Sequence, residues 1–234
     1  MNRLGLVGAI LLLASPSPTI AAPSRPALDA WHRYTAGVET RLARTCAVPR
    51  SPSYTSIAAA GESFAVPSGT ISHWRGSVFI RGVTLDRLLD GLTHPGTPPP
   101  QAEVVASRVP AREGDSLRVY VRLVRHAIIT VTYDTEHVMS FARHSPTLAT
   151  ARSTATRIEE VGGGDRGFLW RLQSYWRYEQ RPGGVLVELE SLTLSRSVPA
   201  VVRPVALPLV NQIARESMTG TLDALKRHFD GSAG

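Results

Sequence analysis

Lysine is almost missing from this chain of 234 residues: of its 26 Lys and Arg side chains only Lys226 is a lysine. The Arg residues outweigh the 19 acidic ones to a net charge of +7, yet they are scattered. No basic run resembles a nucleic-acid arm, so nucleic acid is not an expected partner, while attraction to anionic lipid headgroups stays open. Cysteine is equally scarce. Cys46 stands alone, so no internal disulfide can form and the fold must rest on packing. No His lies near it in sequence, and it reads as a buried or incidental thiol rather than a nucleophile. Long hydrophobic runs are missing too. The apolar stretch Leu4–Ala14 has eleven residues, against the roughly twenty that a membrane-spanning helix needs. Neither a nucleophile elbow, nor a zinc-binding H-E-x-x-H, nor a phosphate-binding P-loop is found.

What the amino terminus does have is order. Met1–Arg3 is a short positive head, Leu4–Ala14 is uncharged and apolar, and small or helix-breaking residues follow from Ser15 to Ala22. That sequence of features is a secretory signal. Thr19 and Ala21 form the best small-x-small pair, and Pro23 disfavours a cut at Ala22, so cleavage is expected near Ala21. With no Cys at the exit, a lipid anchor is not expected. Residues 1–21 are therefore expected to be removed on export to the periplasm or beyond. The remainder suffices for one domain of ordinary size.

Ala27 to about Cys46 has the spacing of an amphipathic helix, with Leu28, Trp31, Val38 and Leu42 near one face. Residues 22–68 are expected to be this helix and a linker, the stretch before Gly69 being loop. The main domain then occupies 69–234. A strand is expected at Ile71–Ile80, and a short helix from the cap Thr84 to Gly91. The run His94–Pro100 can only be a stiff loop. Six further strands are expected at Glu103–Arg108, Ser116–Arg125, Ile128–Glu136, Thr150–Glu160, Phe168–Glu179 and Val185–Ser195, with Gly-rich turns between several of them. The glycines from Gly162 lie between two strands and read as a turn rather than a phosphate cradle. A long helix, about Val205 to Phe229, closes the chain.

The last hairpin fixes its own register. A turn at Pro182-Gly183 sets Trp176 against Leu189, Tyr178 against Val187, and Arg177 against Glu188. A one-residue slip would exchange the faces, and the apolar pattern rejects it. One face then carries Trp170, Leu172, Ser174, Trp176, Tyr178, Val187 and Leu189. The other carries Arg171, Gln173, Arg177, Glu179, Glu188 and Glu190, a wet face on which the two glutamates read as surface partners of Arg. The apolar face needs a cover, and the terminal helix offers Val210, Ile213, Ser217 and Thr221 along one side. Two Trp and a Tyr among Ser and Thr suit a partly open pocket, because aromatic polar tips want partners when buried. A filled core with satisfied tips is the alternative.

Strand, short helix, six antiparallel strands and a long final helix is an order that resembles the helix-grip fold of the START-like, or SRPBCC, superfamily. The segments GFLWRLQSYWRYEQRPGGVLVELESLTLSRSVP (Gly167–Pro199) and RESMTGTLDALKRHF (Arg215–Phe229) carry the resemblance, which spans about Gly69 to Phe229 and looks like a group of exported bacterial members. Trp31–Arg44 is similar to the extra amino-terminal helix of that group. The resemblance implies an α+β domain in which a curved seven-stranded antiparallel sheet wraps a long C-terminal helix. It also implies a cavity between sheet and helix for a lipid-like or other apolar molecule. The expected lining is Trp170, Leu172, Trp176, Tyr178, Val187 and Leu189 on the sheet, with Val210, Ile213, Ser217 and Thr221 on the helix. No metal, cofactor or catalytic residue is implied.

Elsewhere, ionisable groups are densest at Asp134, Glu136, His137 and His144. Asp134 and Glu136 share a strand face, His137 points the other way, and the spacing of the histidines matches no standard metal site. Arg157 is expected to face solvent, since charges avoid burial unless paired. Three classes of function remain: a carrier of an amphipathic molecule, a cyclase- or hydrolase-like enzyme acting on one, and an envelope interaction domain with a filled core.

Overall fold

A Ser24 side chain accepts the Ala27 N–H at 3.3 Å and starts the first helix, α1 (Arg25–Thr45). The computed structural model describes residues 22–45, 57–93, 103–126, 130–162, 168–197 and 203–230. The expected signal segment, Cys46 and the expected loop His94–Pro100 lie outside them. After α1 come β1 (Ala58–Val66), β2 (Gly69–Arg81), α2 (Leu85–Thr93), β3 (Val104–Glu113) and β4 (Ser116–His126). There follow β5 (Thr130–Ser145), β6 (Leu148–Val161), β7 (Arg171–Arg181), β8 (Gly184–Arg196) and α3 (Arg203–Asp230).

The strands form one antiparallel sheet of eight, ordered β1-β2-β8-β7-β6-β5-β4-β3. The architecture is the expected helix-grip α+β, with eight strands rather than seven. The extra one is β1, in the stretch read as loop before Gly69. Its sequence AAAGESFAV has no apolar alternation to betray it. Gly61 explains part of that composition, because a Cβ there would come within 2.6 Å of Trp74 Cα on the paired strand.

The β7–β8 hairpin has the register that the apolar pattern demands, Trp176 opposite Leu189 and Arg177 opposite Glu188, closed by a two-residue turn at Pro182-Gly183. Gly183 takes a φ of 80°, which after a proline is the signature of a type II turn. Helix α2 begins where expected, with Thr84 Oγ1 accepting the Arg87 N–H at 3.3 Å. It runs past Gly91 to Thr93. Gly91 is needed there for closeness, since a Cβ would meet the Phe229 ring at 2.9 Å.

Each face of the sheet has its own helix. On the inner face, Ala214, Met218, Leu222, Leu225 and Phe229 of α3 pack on Trp74, Val78, Tyr178, Val187 and Leu189. On the outer face, Ala27, Trp31, Val38 and Leu42 of α1 pack on Ile71, Leu192 and Leu194. Burying side chains of this size is worth about 1.5–3 kcal/mol each. Among the described residues, no helix is long and apolar enough to cross a membrane.

Candidate ligand-binding site

The inner face divides in two. Where α3 lies on β1 and β2, the space is filled: Tyr178, Val187 and Leu189 are buried with Met218 and Leu222, and Gly76 has no room for a side chain because a Cβ would meet Leu222 and Met218 within 2.9 Å. Trp176 sits at the margin of this core, partly buried and stacked on Tyr178 at 6.2 Å between ring centroids. Leu172 is half-buried and belongs to neither core cluster. Trp170 is on the opposite face from the one its parity suggests. Strand β7 begins only at Arg171, and the bend before it turns the Trp170 ring into the cluster under α1.

The helix residues Val210, Ile213, Ser217 and Thr221 are half-buried, on a stripe adjacent to the one that fills the core. Ser217 marks what that stripe faces, for Arg125 Nη2 of β4 donates to its hydroxyl at 2.9 Å. The packed stripe, Ala214–Met218–Leu222–Leu225, is one position further round. Its Ala and Met gave the weaker apolar signal.

On the sheet side of this second half, Val119, His137, Ser153, Ala155, Leu172 and Ser174 of β4 to β7 face inward and are only half-buried, beside the buried Val131, Tyr133 and Thr135. A connected set of hydrogen bonds runs through them. Thr135 Oγ1 donates to the Val121 carbonyl at 3.0 Å, so it accepts from His137 Nε2–H at 3.0 Å. The other ring nitrogen, Nδ1, then accepts from the Ser153 hydroxyl at 3.4 Å. Burial pushes the His137 pKa down to about 4, so the ring is neutral at physiological pH. The pattern could not reveal this set, because its members come from three strands.

The outer face holds a second set of charges. Glu190, read as a surface residue, is buried, because α1 covers it. It accepts from His73 Nε2 at 2.6 Å and pairs with Arg41 of α1, while His73 Nδ1 accepts the Tyr34 hydroxyl at 2.6 Å. Burial alone would raise the Glu190 pKa, but the His73 bond and the Arg41 and Arg75 charges outweigh it and hold the carboxylate below its usual range. Glu188, two residues away, keeps the expected pairing with Arg177 at 2.9 Å. Beside the last turn of α1, the same face holds a cavity of about 340 Å³ between Leu42, Ala43 and the outward side chains of β2, β8, β7, β6 and β5. Trp176 and Leu189 border it as well, through the strands they share with Tyr175 and Glu190.

The remaining ionisable residues disperse. Asp134 is held by Arg122 and Tyr120 at 2.7 Å, which lowers its pKa to about 2. Glu136 pairs with Arg157, which faces outward, and His144 bonds Thr150 at 2.7 Å. Among the described residues no three His, Cys, Asp or Glu side chains converge as metal ligands would.

No family model and no curated protein matches the sequence. Solved structures do match. A protein from Thermus thermophilus superposes with a TM-score of 0.52 at 19% identity, over 68% of this chain and 98% of its own. A STAR-related lipid transfer protein fragment from Xanthomonas axonopodis gives 0.52 at 16%, over 73% and 98%. Identities this low speak for the fold alone. The chain has a START-like fold.

Proposed function

We propose that the protein is an exported carrier of one amphipathic, lipid-like molecule, held between the inner face of β4–β7 and the Val210–Ile213–Ser217–Thr221 stripe of α3. The observation that carries this reading is the division of the inner face. One half is closed by core packing, while the other presents half-buried apolar and polar side chains around a neutral His137. Ligand sites combine apolar walls with a few fixed polar groups. Here Val119 and Leu172 would supply the wall, with His137 and Ser153 as the polar anchors. The lipid transfer protein among the structural neighbours supports the same ligand class.

The test is native mass spectrometry of protein purified from its own envelope fraction, together with titration of dansyl-undecanoic acid. A retained mass of a few hundred daltons is expected, with dye binding lost in Ser153→Phe. A protein without any adduct and a flat titration across lipid classes would end the carrier reading.

A further inference from the structure

The outer-face cavity is built differently from the inner face of β4–β7. Its floor follows from register. Arg75, Glu190, Tyr175, Arg152 and Ser140 form one transverse row across the sheet, each opposite the next. The adjacent row runs Ser77, Glu188, Arg177, Thr150 and Ala142. Residues two apart on a strand point to the same face, so both rows look outward. Ser140, Ala142 and Thr150 are short, whereas Tyr175 and Arg177 beside them are tall. A hollow is left over β5 and β6, and Leu42 and Ala43 at the end of α1 wall it.

The charges around it are unevenly committed. Glu188 is taken by Arg177 at 2.9 Å, and Arg152 is matched by Glu39 at 2.8 Å. Glu190 is shared: Arg41 and His73 hold it closely, and Arg75 reaches it from the side. Arg75 is the looser partner. Its Nε stands 3.5 Å from Glu190, and its side chain is 49% exposed. A guanidinium has five N–H donors in a fork suited to a carboxylate or phosphate, and a carboxylate already engaged by two closer groups leaves most of that fork to a ligand.

We propose that this outer-face cavity is a second binding site, for a small amphipathic anion whose apolar body lies over Ala142 and Thr150 against Leu42 and whose carboxylate or phosphate pairs with Arg75. A volume of about 340 Å³ is at the small end of ligand sites, which suits a single chain or one or two rings rather than a two-chain lipid.

Isothermal titration with decanoate, decyl phosphate and decanol tests the site on the mature protein. Decanoate is expected to bind about tenfold more tightly than decanol, the ratio a charge-assisted hydrogen bond supports. Arg75→Gln should bring decanoate to the level of decanol and leave decanol unchanged, with the melting temperature kept. Ala142→Trp fills the hollow and should abolish both; Ala142→Leu, a smaller filling, replaces it if the tryptophan variant does not fold. If decyl phosphate responds to Arg75→Gln more than decanoate does, a phosphate is the physiological head. The converse assigns a carboxylate. Equal affinity for decanoate and decanol in the parent overturns the proposal. So does undiminished decanoate binding in Ala142→Trp, which would place the ligand on the inner face under α3 and leave the carrier reading standing.

Discussion

Replacing Glu190 by Ala would remove the anion that α1 covers. Its side chain is 8% exposed, and three groups point at it: His73 Nε2 at 2.6 Å, Arg41, and Arg75 Nε at 3.5 Å. The variant leaves Arg41 and Arg75 facing each other with their shared carboxylate gone, and the His73 N–H without its acceptor. Breaking a buried pair from one side costs about 3–5 kcal/mol. For a domain of this size each kcal/mol lowers the melting temperature by about 2–4 °C, so a loss of about 6–20 °C is expected. Glu188→Ala is the matched control. Arg177 would still have Glu179 at 2.6 Å, and the change should cost no more than about 1 kcal/mol. Urea melts of the three proteins, with slopes compared to confirm that unfolding is of one kind, give both differences. The pH dependence has a definite sign. The Glu190 pKa is lower folded than unfolded, so its contribution is complete above the ordinary value of 4.5 and fades as pH falls through the depressed one. The gap between parent and Glu190→Ala should therefore narrow at acid pH. Equal costs for Glu188→Ala and Glu190→Ala would refute the reasoning, because they would mean that α1 does not seal this face.

Leu189→Asp places an unpaired charge in the core beside Val187 and Leu222, and no folded protein should be recovered, whereas Glu188→Asp should stay within about 0.5 kcal/mol of the parent by urea melt. The His137 ring should titrate near pH 4 in a proton–carbon NMR series, and a midpoint near 6.5 would show it open to water. Because its pKa is depressed, its share of stability is present above 6.5 and lost as pH falls through about 4. Intact mass of the mature protein should begin at Ala22, and a full-length species in the membrane pellet would rule out cleavage.

Local pattern made some of this fold readable and left the rest silent, for reasons that can be named. The β7–β8 register was legible because alternation and a Pro-Gly turn both constrain it, and either alone would allow a slip. Strand β1 was silent because an edge strand rich in Ala, with Gly61 required for closeness to Trp74, carries no alternation. On α3 the apolar pattern pointed to Val210 and Ile213, and Ala214 and Met218 of the packing stripe were missed because Ala is small and Met is one residue among polar ones. Of the polar set on the inner face, only the placing of His137 opposite Asp134 and Glu136 could be read, since Thr135 lies on β5 with it but Ser153 comes from β6 and the Val121 carbonyl from β4.

Glu188 and Glu190 show where the limit falls. They occupy the same strand face two residues apart, and nothing local distinguishes them. The difference is made by a helix well over a hundred residues earlier in the chain, which lays Arg41 over Glu190, while Glu188 keeps Arg177 of its own sheet. Among the described residues, α1 covers the outer face as far as Leu42 and Ala43, and these two residues wall the cavity. A two-layer reading, with one dry face and one wet face, treats every polar residue of the second face alike. Once α1 is laid on it, that face acquires a sealed part that stabilises the fold and an open part bordered by a loosely held cation. Among the described residues, the reach of α1 along this face therefore separates the charges it buries, Glu190 and His73, from those that border the cavity.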